Sequence, residues 1–191
     1  MSRAERLFIA VPTSESLKQS LRELQLGLAE ILEEYSITHR TENIDNSHLT
    51  IRFLGDTPID KVKGLDAVLL SGELGVRGFD AQLAQLGSFG GLRKARVLWV
   101  GLEPLSEFQV LKSELERILA PLGLTEEESR TFTPHLTLFR LRGAQDLRSV
   151  WSELRSVDVP AATLRVNELV LYKSELSSHG ATHVKRVSRS F

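Results

Sequence analysis

At 191 residues, with 41% hydrophobic and 26% charged side chains, the chain has the balance of one soluble globular domain with a real core. Its 24 Lys+Arg against 25 Asp+Glu leave a net charge of −1, which excludes a histone-like grip on long nucleic acid; a polyanionic ligand must be small or held locally. The lack of cysteine excludes disulfides, thiolate metal ligands and a cysteine nucleophile, and no run approaches the roughly 18 apolar residues of a membrane span.

The opening stretch MSRAERLFIAVPTSES is too poor in apolar residues for a signal peptide, so a cytoplasmic protein is expected. RLFIAV (6–11) reads as a strand stopped by Pro12. Leu17, Leu21, Leu24, Leu28, Ile31 and Leu32 then recur at helical spacing. The polar stretch from Tyr35 to Ser47 predicts a turn and a short edge strand, and HLTIRFL (48–54) a further strand. Gly55-Asp56-Thr57-Pro58 reads as a breaker, with Thr57 capping and Pro58 opening a helix that carries Ile59, Val62, Leu65 and Leu69. Phe79, Ala81 and Leu83 alternate as a strand.

The second half repeats this order. RVLWVGL (96–102) is a strand, and Ser106-Glu107-Phe108-Gln109 matches a capping box for a helix with Phe108, Leu111, Leu115, Ile118, Leu119 and Leu122 on one face. FTPHLTLFR (132–140) is the next strand, followed by a helix near 146–155, one long strand or two through Leu164–Val166 and Leu169–Leu171, and a last strand at THVKRV (182–187). The tripeptide His-Leu-Thr occurs at 48–50 and again at 135–137, 87 residues later. The same offset carries Ile9 to Arg96, Asp60 to Leu147 and Phe79 to Val166, so the pattern β-α-(β)-β-α-β runs twice in register. This predicts an α+β chain, a single bilobal domain over 1–191 with approximate repeats 5–87 and 95–174 and a C-terminal strand at 180–190. Each of the two pseudo-symmetric lobes is expected to be an antiparallel sheet with helices on its outer face. The His-Leu-Thr strands would lie centrally in their lobes and face each other across a cleft.

On a strand, residues i and i+2 share a face. His48, Thr50 and Arg52 therefore point one way and Leu49, Ile51 and Phe53 the other; His135 and Thr137 point away from Leu136 and Leu138. Two imidazoles on opposite sides of a phosphorus suit in-line displacement: a neutral ring takes a proton from water while an imidazolium gives one to the leaving oxygen. Threonine hydroxyls can donate to the non-bridging oxygens, with Arg52 and Arg140 adding positive charge. Strict alternation points Arg140 away from this face, so its use requires a bulge or a strand end. A third match, His39-Arg40-Thr41, lacks alternating apolar flanks and reads as an exposed polar segment. A zinc site is the rival for two histidines, but no carboxylate sits beside either motif on the same strand face to complete it, so no metal is expected.

The paired motifs resemble the 2H phosphoesterase superfamily, and the chain is similar nearly end to end to RNA 2′,3′-cyclic phosphodiesterases, also called 2′–5′ RNA ligases. RLFIAV, SHLTIRFLGD, LGSFGGLRKARVLWVGLE, RTFTPHLTLFR and VNELVLYKSELSSHGATHV carry the resemblance. It implies the 2H fold, with His48 as general acid to the leaving 3′ oxygen and His135 as general base for water. It also implies Thr50, Thr137 and Arg140 as phosphate contacts, a substrate that is a cyclic nucleotide or an RNA end, and metal-free, cofactor-free opening of the ring to a 2′-phosphate. Phe139 stands where a small residue is common in the family; facing the cleft, it would stack on a base or crowd one.

Three other functions compete. Reversal would join ends through a 2′–5′ linkage, although no GxxxxGK[ST] loop or adenylation lysine is present to activate them. A phosphodiesterase for an ADP-ribose cyclic phosphate would use the same groups. A binding module with two RRM-like lobes would need aromatic platforms, whereas aromatics are 6% here. The basic cluster Arg93, Lys94 and Arg96 is either a cleft-mouth contact or a solvated loop. The expected working unit is a monomer, with no membrane partner.

Overall fold

The computed structural model describes residues 4–124, 131–177 and 180–191, with no side-chain description over 176–181. Ser178 and His179, within the segment VNELVLYKSELSSHGATHV singled out in the sequence, lie outside the described residues. The strands are β1 (Ala4–Pro12), β2 (His39–Thr41), β3 (His48–Pro58), β4 (Phe79–Phe89), β5 (Ala95–Glu103), β6 (His135–Gln145), β7 (Thr163–Val166), β8 (Glu168–Ser177) and β9 (Gly180–Ser190). The α-helices are α1 (Glu15–Glu34), α2 (Ile59–Ser71), α3 (Leu105–Leu119) and α4 (Trp151–Ser156). None of them is long and apolar enough to cross a membrane.

Two antiparallel sheets form, in the orders β3-β1-β8-β9 and β2-β6-β5-β4-β7. Each draws on both halves of the chain: β8 completes the first sheet and β4 the second, so the sheets are not contiguous halves. Laying β3, β1 and β8 on β6, β5 and β4 matches the two strand orders. Phe79 and Val166, 87 residues apart in sequence, are direct cross-strand partners within one sheet.

The structure corrects the expected position of the His-Leu-Thr strands. β3 is the edge of its sheet, and only the three-residue β2 lies outside β6. An edge position suits the cleft, because each strand keeps a side that no long neighbour covers.

The long helices form as their periodicity dictates. Ser14 caps α1 by accepting the Leu17 N–H at 3.2 Å, and Leu17, Leu21, Leu24, Leu28 and Leu32 are buried beneath it. Gln25, on the same buried face, ties α1 to the second sheet by donating to the carbonyls of Leu138 (2.8 Å) and Glu42 (3.0 Å). α2 is held to β9 by Arg186, whose guanidinium meets Asp66 at 2.9 Å.

Local signals failed at three places. The Gly55–Pro58 segment does not end its strand: Gly55 adopts φ +66° beside a register shift, and Gly55–Pro58 continue pairing with Ala4–Leu7. There glycine makes a bulge rather than a stop. Thr57 bonds back to the Gly55 carbonyl instead of capping, and Pro58 stands at the N-cap of α2. The Ser106 capping box is not formed either, because α3 starts two residues earlier than that cap requires, at Leu105 with Pro104 as N-cap, and Ser106 turns its hydroxyl to Glu107. Before α4, Asp146 captures both the Arg148 N–H and its guanidinium in a turn, so the helix is shorter than expected. Of the two readings of 163–171, one long strand or two, the second holds: the strands part at Asn167 into different sheets.

Candidate active site

β3 and β6 present their first six residues in the same order of exposure: half-buried, buried, half-buried, buried, buried, exposed. On a strand with one face open to a cleft, plain alternation does not give two consecutive buried residues. A bulge does so in each strand. On β3, Thr50 opposes Ala10 and Arg52 opposes Ile9, so Ile51 is the extra residue; on β6, Thr137 opposes Trp99 and Phe139 opposes Leu98, so Leu138 is extra.

Each bulge re-aims the side chains beyond it. Arg140 returns to the face of His135 and Thr137, and Phe53 to the face of His48 and Thr50. Arg52 and Phe139 turn inward. All of His48, Thr50, His135, Thr137 and Arg140 line one cleft of about 570 Å³, a size suited to a small-molecule ligand.

The expected contribution of Arg52 is therefore corrected. It is only 4% exposed, with Nε 3.0 Å from the Glu116 carboxylate and a terminal nitrogen donating to the Leu124 carbonyl at 2.8 Å. Phe139 is likewise fully buried, edge-on to His39, and does not reach the cleft. Arg93, Lys94 and Arg96 are not among the lining residues. The third motif occupies β2, where His39 Nδ1 lies 2.8 Å from the Ile37 carbonyl.

The two cleft histidines are held alike. His48 Nδ1 lies 2.7 Å from the Asn46 carbonyl, and His135 Nδ1 lies 2.7 Å from the Thr133 carbonyl. A carbonyl only accepts, so Nδ1 carries the proton in both rings and Nε2 is the nitrogen left for chemistry. Burial pushes the His48 imidazole down to about 4, against the hydrogen bond from Nδ1 that favours its charged form. Burial also lowers His135, again opposed by its carbonyl partner. Both rings are thus neutral near pH 7. A bound anion offsets the desolvation and raises both.

That coupling has a measurable sign. Sulfate keeps its charge across about pH 5–8, so any proton change on binding belongs to the protein. Near pH 6, sulfate binding is expected to take up protons and to weaken as pH rises. Calorimetry in two buffers of different ionisation enthalpy reads this directly; proton release would contradict it.

Sequence reasoning missed several lining residues: Glu42, Asn46, Ser47, Phe53, Phe89, Val97 and His183. Phe53 had a usable signal, since it follows His48 by the same five residues that separate Arg140 from His135. Asn46 and Ser47 directly precede His48 but carry no pattern of their own, and Glu42, Phe89, Val97 and His183 come from other elements and had none. Glu42 supplies the carboxylate that neither motif has beside it on its strand face, and it accepts from Arg140 Nε at 2.7 Å. Among the described residues, no three His, Cys, Asp or Glu side chains cluster as a metal-ligand set.

His135 also depends on a glycine. Its ring meets Phe89 edge-on at 4.7 Å and Trp99 at 5.9 Å, and Trp99 lies across Gly87 on the neighbouring strand. A Cβ at Gly87 would come within 2.1 Å of the indole. Gly87→Ala must displace Trp99 and with it the wall behind His135. Overpacking of this kind costs about 1–3 kcal/mol, and a misplacement near 1 Å costs about 10²-fold in rate. A folded Gly87→Ala protein with wild-type turnover would show that Trp99 does not position His135.

Residues 40–177 match the family model described as the 2′-5′ RNA ligase superfamily. The chain is 29% identical over 178 residues to the RNA 2′,3′-cyclic phosphodiesterase of Methanothermobacter thermautotrophicus, covering 92% of each. It is 32% identical over 143 residues to that of Aeropyrum pernix, covering 74% of this chain and 80% of the relative. Among solved structures, the apo form of Escherichia coli LigT superposes with a TM-score of 0.71 at 25% identity, covering 99% of this chain and 98% of that one. With two antiparallel sheets meeting at a cleft that holds both His-x-Thr pairs, the chain belongs to the 2′-5′ RNA ligase superfamily of 2H phosphoesterases.

Proposed function

We propose that this protein is a cytoplasmic, monomeric RNA 2′,3′-cyclic phosphodiesterase that opens the cyclic phosphate of a nucleotide or RNA end to a 2′-phosphate, without metal. The carrying observation is the matched pair of imidazoles in one cleft, each with Nδ1–H committed to a carbonyl two residues back. Relatives named RNA 2′,3′-cyclic phosphodiesterase add support, as does the fold shared with a LigT complex containing 3′-AMP at a TM-score of 0.66 and 25% identity.

In this reading, His135 Nε2 accepts the proton of a water that attacks phosphorus. The bond from phosphorus to the 3′ oxygen breaks, and His48 Nε2–H protonates that oxygen. Thr50, Thr137 and Arg140 hold the non-bridging oxygens, where charge gathers in the transition state. Arg140 is oriented for this by Glu42. The phosphodiester anion itself raises His48 into the range where it can serve as the acid. Phe53 and Phe89, both partly exposed on the cleft, offer apolar faces to a base. The repeats 5–87 and 95–174 are read as two copies of one β-α-β-β-α-β unit.

Incubation with a 2′,3′-cyclic nucleotide and with a cyclic-phosphate-ended oligonucleotide, in excess EDTA, tests the proposal. Phosphorus NMR should show the 2′-phosphate as sole product at an undiminished rate. A 3′-phosphate product, or activity lost to EDTA and restored by one divalent ion, would overturn it. An added 5′-hydroxyl oligonucleotide reads the reverse, joining reaction, which hydrolysis in water should outrun.

A further inference from the structure

Three imidazoles line the cleft, and the proposed hydrolysis uses two of them. The third, His183, stands on β9, at the opposite edge of its sheet from His48. It reaches His48 over the face of the sheet: its ring centroid is 4.9 Å from Phe8 and 5.1 Å from His48, at interplanar angles of 81° and 86°. Phe8 in turn stacks on Tyr172 at 5.2 Å. The ring is therefore placed by three strands and is not a stray surface side chain.

Its hydrogen bonding differs from that of the other two. His183 Nδ1 is buried and has no partner among the described residues. A buried N–H without an acceptor costs more than an unused lone pair. The neutral ring therefore keeps its proton on Nε2, the polar edge left for the cleft. His48 and His135 have the opposite tautomer, with Nδ1–H bonded and a lone pair on Nε2.

We propose that His183 is a substrate-binding residue: a neutral Nε2–H donor to an oxygen of the ribose–phosphate group on the His48 side of the phosphorus. The proposal rests on the assignment of cyclic-phosphodiester chemistry to this cleft. Its neutrality matters, because a positive charge on His183 would oppose protonation of His48. Burial lowers His183 from its ordinary value, Glu42 opposes this and Arg140 reinforces it. A neutral donor thus contributes on the leaving-group side without disabling the acid.

Two measurements test this. Long-range proton–nitrogen NMR of the wild-type protein should show His183 as the Nε2–H tautomer and His48 and His135 as Nδ1–H. Addition of sulfate should shift the His183 Nε2 resonance. His183→Phe keeps a ring against Phe8 and His48 but removes the donor, while His183→Gln restores one. His183→Phe is expected to lower kcat/KM for a 2′,3′-cyclic nucleotide by about tenfold, evenly across about pH 6–8, with His183→Gln recovering most of the loss. Wild-type kcat/KM in His183→Phe would reduce the residue to packing and overturn the proposal. So would a shift confined to the alkaline limb, which would mean action through His48 and not on substrate, or an Nδ1–H tautomer at His183. If the wild-type protein turned over no cyclic phosphodiester, the functional assignment would fail, and the NMR measurement would judge His183 separately.

Discussion

Replacing His48 or His135 with alanine is expected to lower turnover of a 2′,3′-cyclic nucleotide by about 10²–10⁴ each. Water is a poor nucleophile and a ribose oxygen is a poor leaving group, so neither proton transfer is dispensable. Nucleotide binding should survive, because Thr50, Thr137 and Arg140 still line the cleft. The wild-type pH–rate profile should be bell-shaped. His135→Ala should remove its acid-side limb, where the base must be deprotonated, and His48→Ala its alkaline-side limb, where the acid must stay protonated. Because an anion raises the depressed His48 imidazole, the alkaline limb should lie at higher pH in kcat than in kcat/KM. A leaving group that needs no proton should rescue His48→Ala and leave His135→Ala impaired; the opposite rescue would exchange the two roles. His39→Ala is the control. His39 sits on β2 against the buried Phe139 and is absent from the cleft lining, so its loss should leave turnover near wild type.

Arg52 is expected to behave as a stability residue. Arg52→Met removes one partner of an ion pair whose guanidinium is nearly solvent-free, and it leaves the Glu116 carboxylate under-compensated. Breaking a buried pair in this way costs about 3–5 kcal/mol. Glu116 is 26% exposed and recovers some hydration, so a loss near the lower end, about 3 kcal/mol, is expected from denaturant titration. At temperatures where the variant stays folded, kcat/KM should be unchanged. A raised KM with full stability would return Arg52 to the phosphate site. The contrast with Arg140, whose replacement should raise KM with little effect on stability, separates the arginine that strict alternation would put in the cleft from the one a bulge brings there.

The core strands and helices were legible because their signals are local. Leucines at helical spacing predict α1, α2 and α3 without reference to the rest of the chain, and their buried faces are the ones the periodicity names. The repeated His-Leu-Thr was legible for a similar reason: residues i and i+2 on a strand share a face whatever the sheet around them. That much placed His48 with Thr50 and His135 with Thr137.

Beyond the first bulge, tertiary structure decided. Register shifts after Thr50 and Thr137 depend on how β1 and β5 pair with these strands, and no residue within 48–53 or 135–140 announces them. They send Arg52 inward and bring Arg140 and Phe53 out. The same holds for Gly55, whose left-handed backbone makes a bulge only because β1 extends beside it to Ala4. The sheets' exchange of β4 and β8, and the arrival of Glu42 and His183 in the cleft, are long-range events. Sequence by itself determined which chemistry this chain carries, since a repeated motif needs only local geometry to align its groups. Which arginine lines the cleft, and which third imidazole joins the pair there, was decided by pairing between strands far apart in the chain, where a one-residue slip exchanges the two faces of a strand.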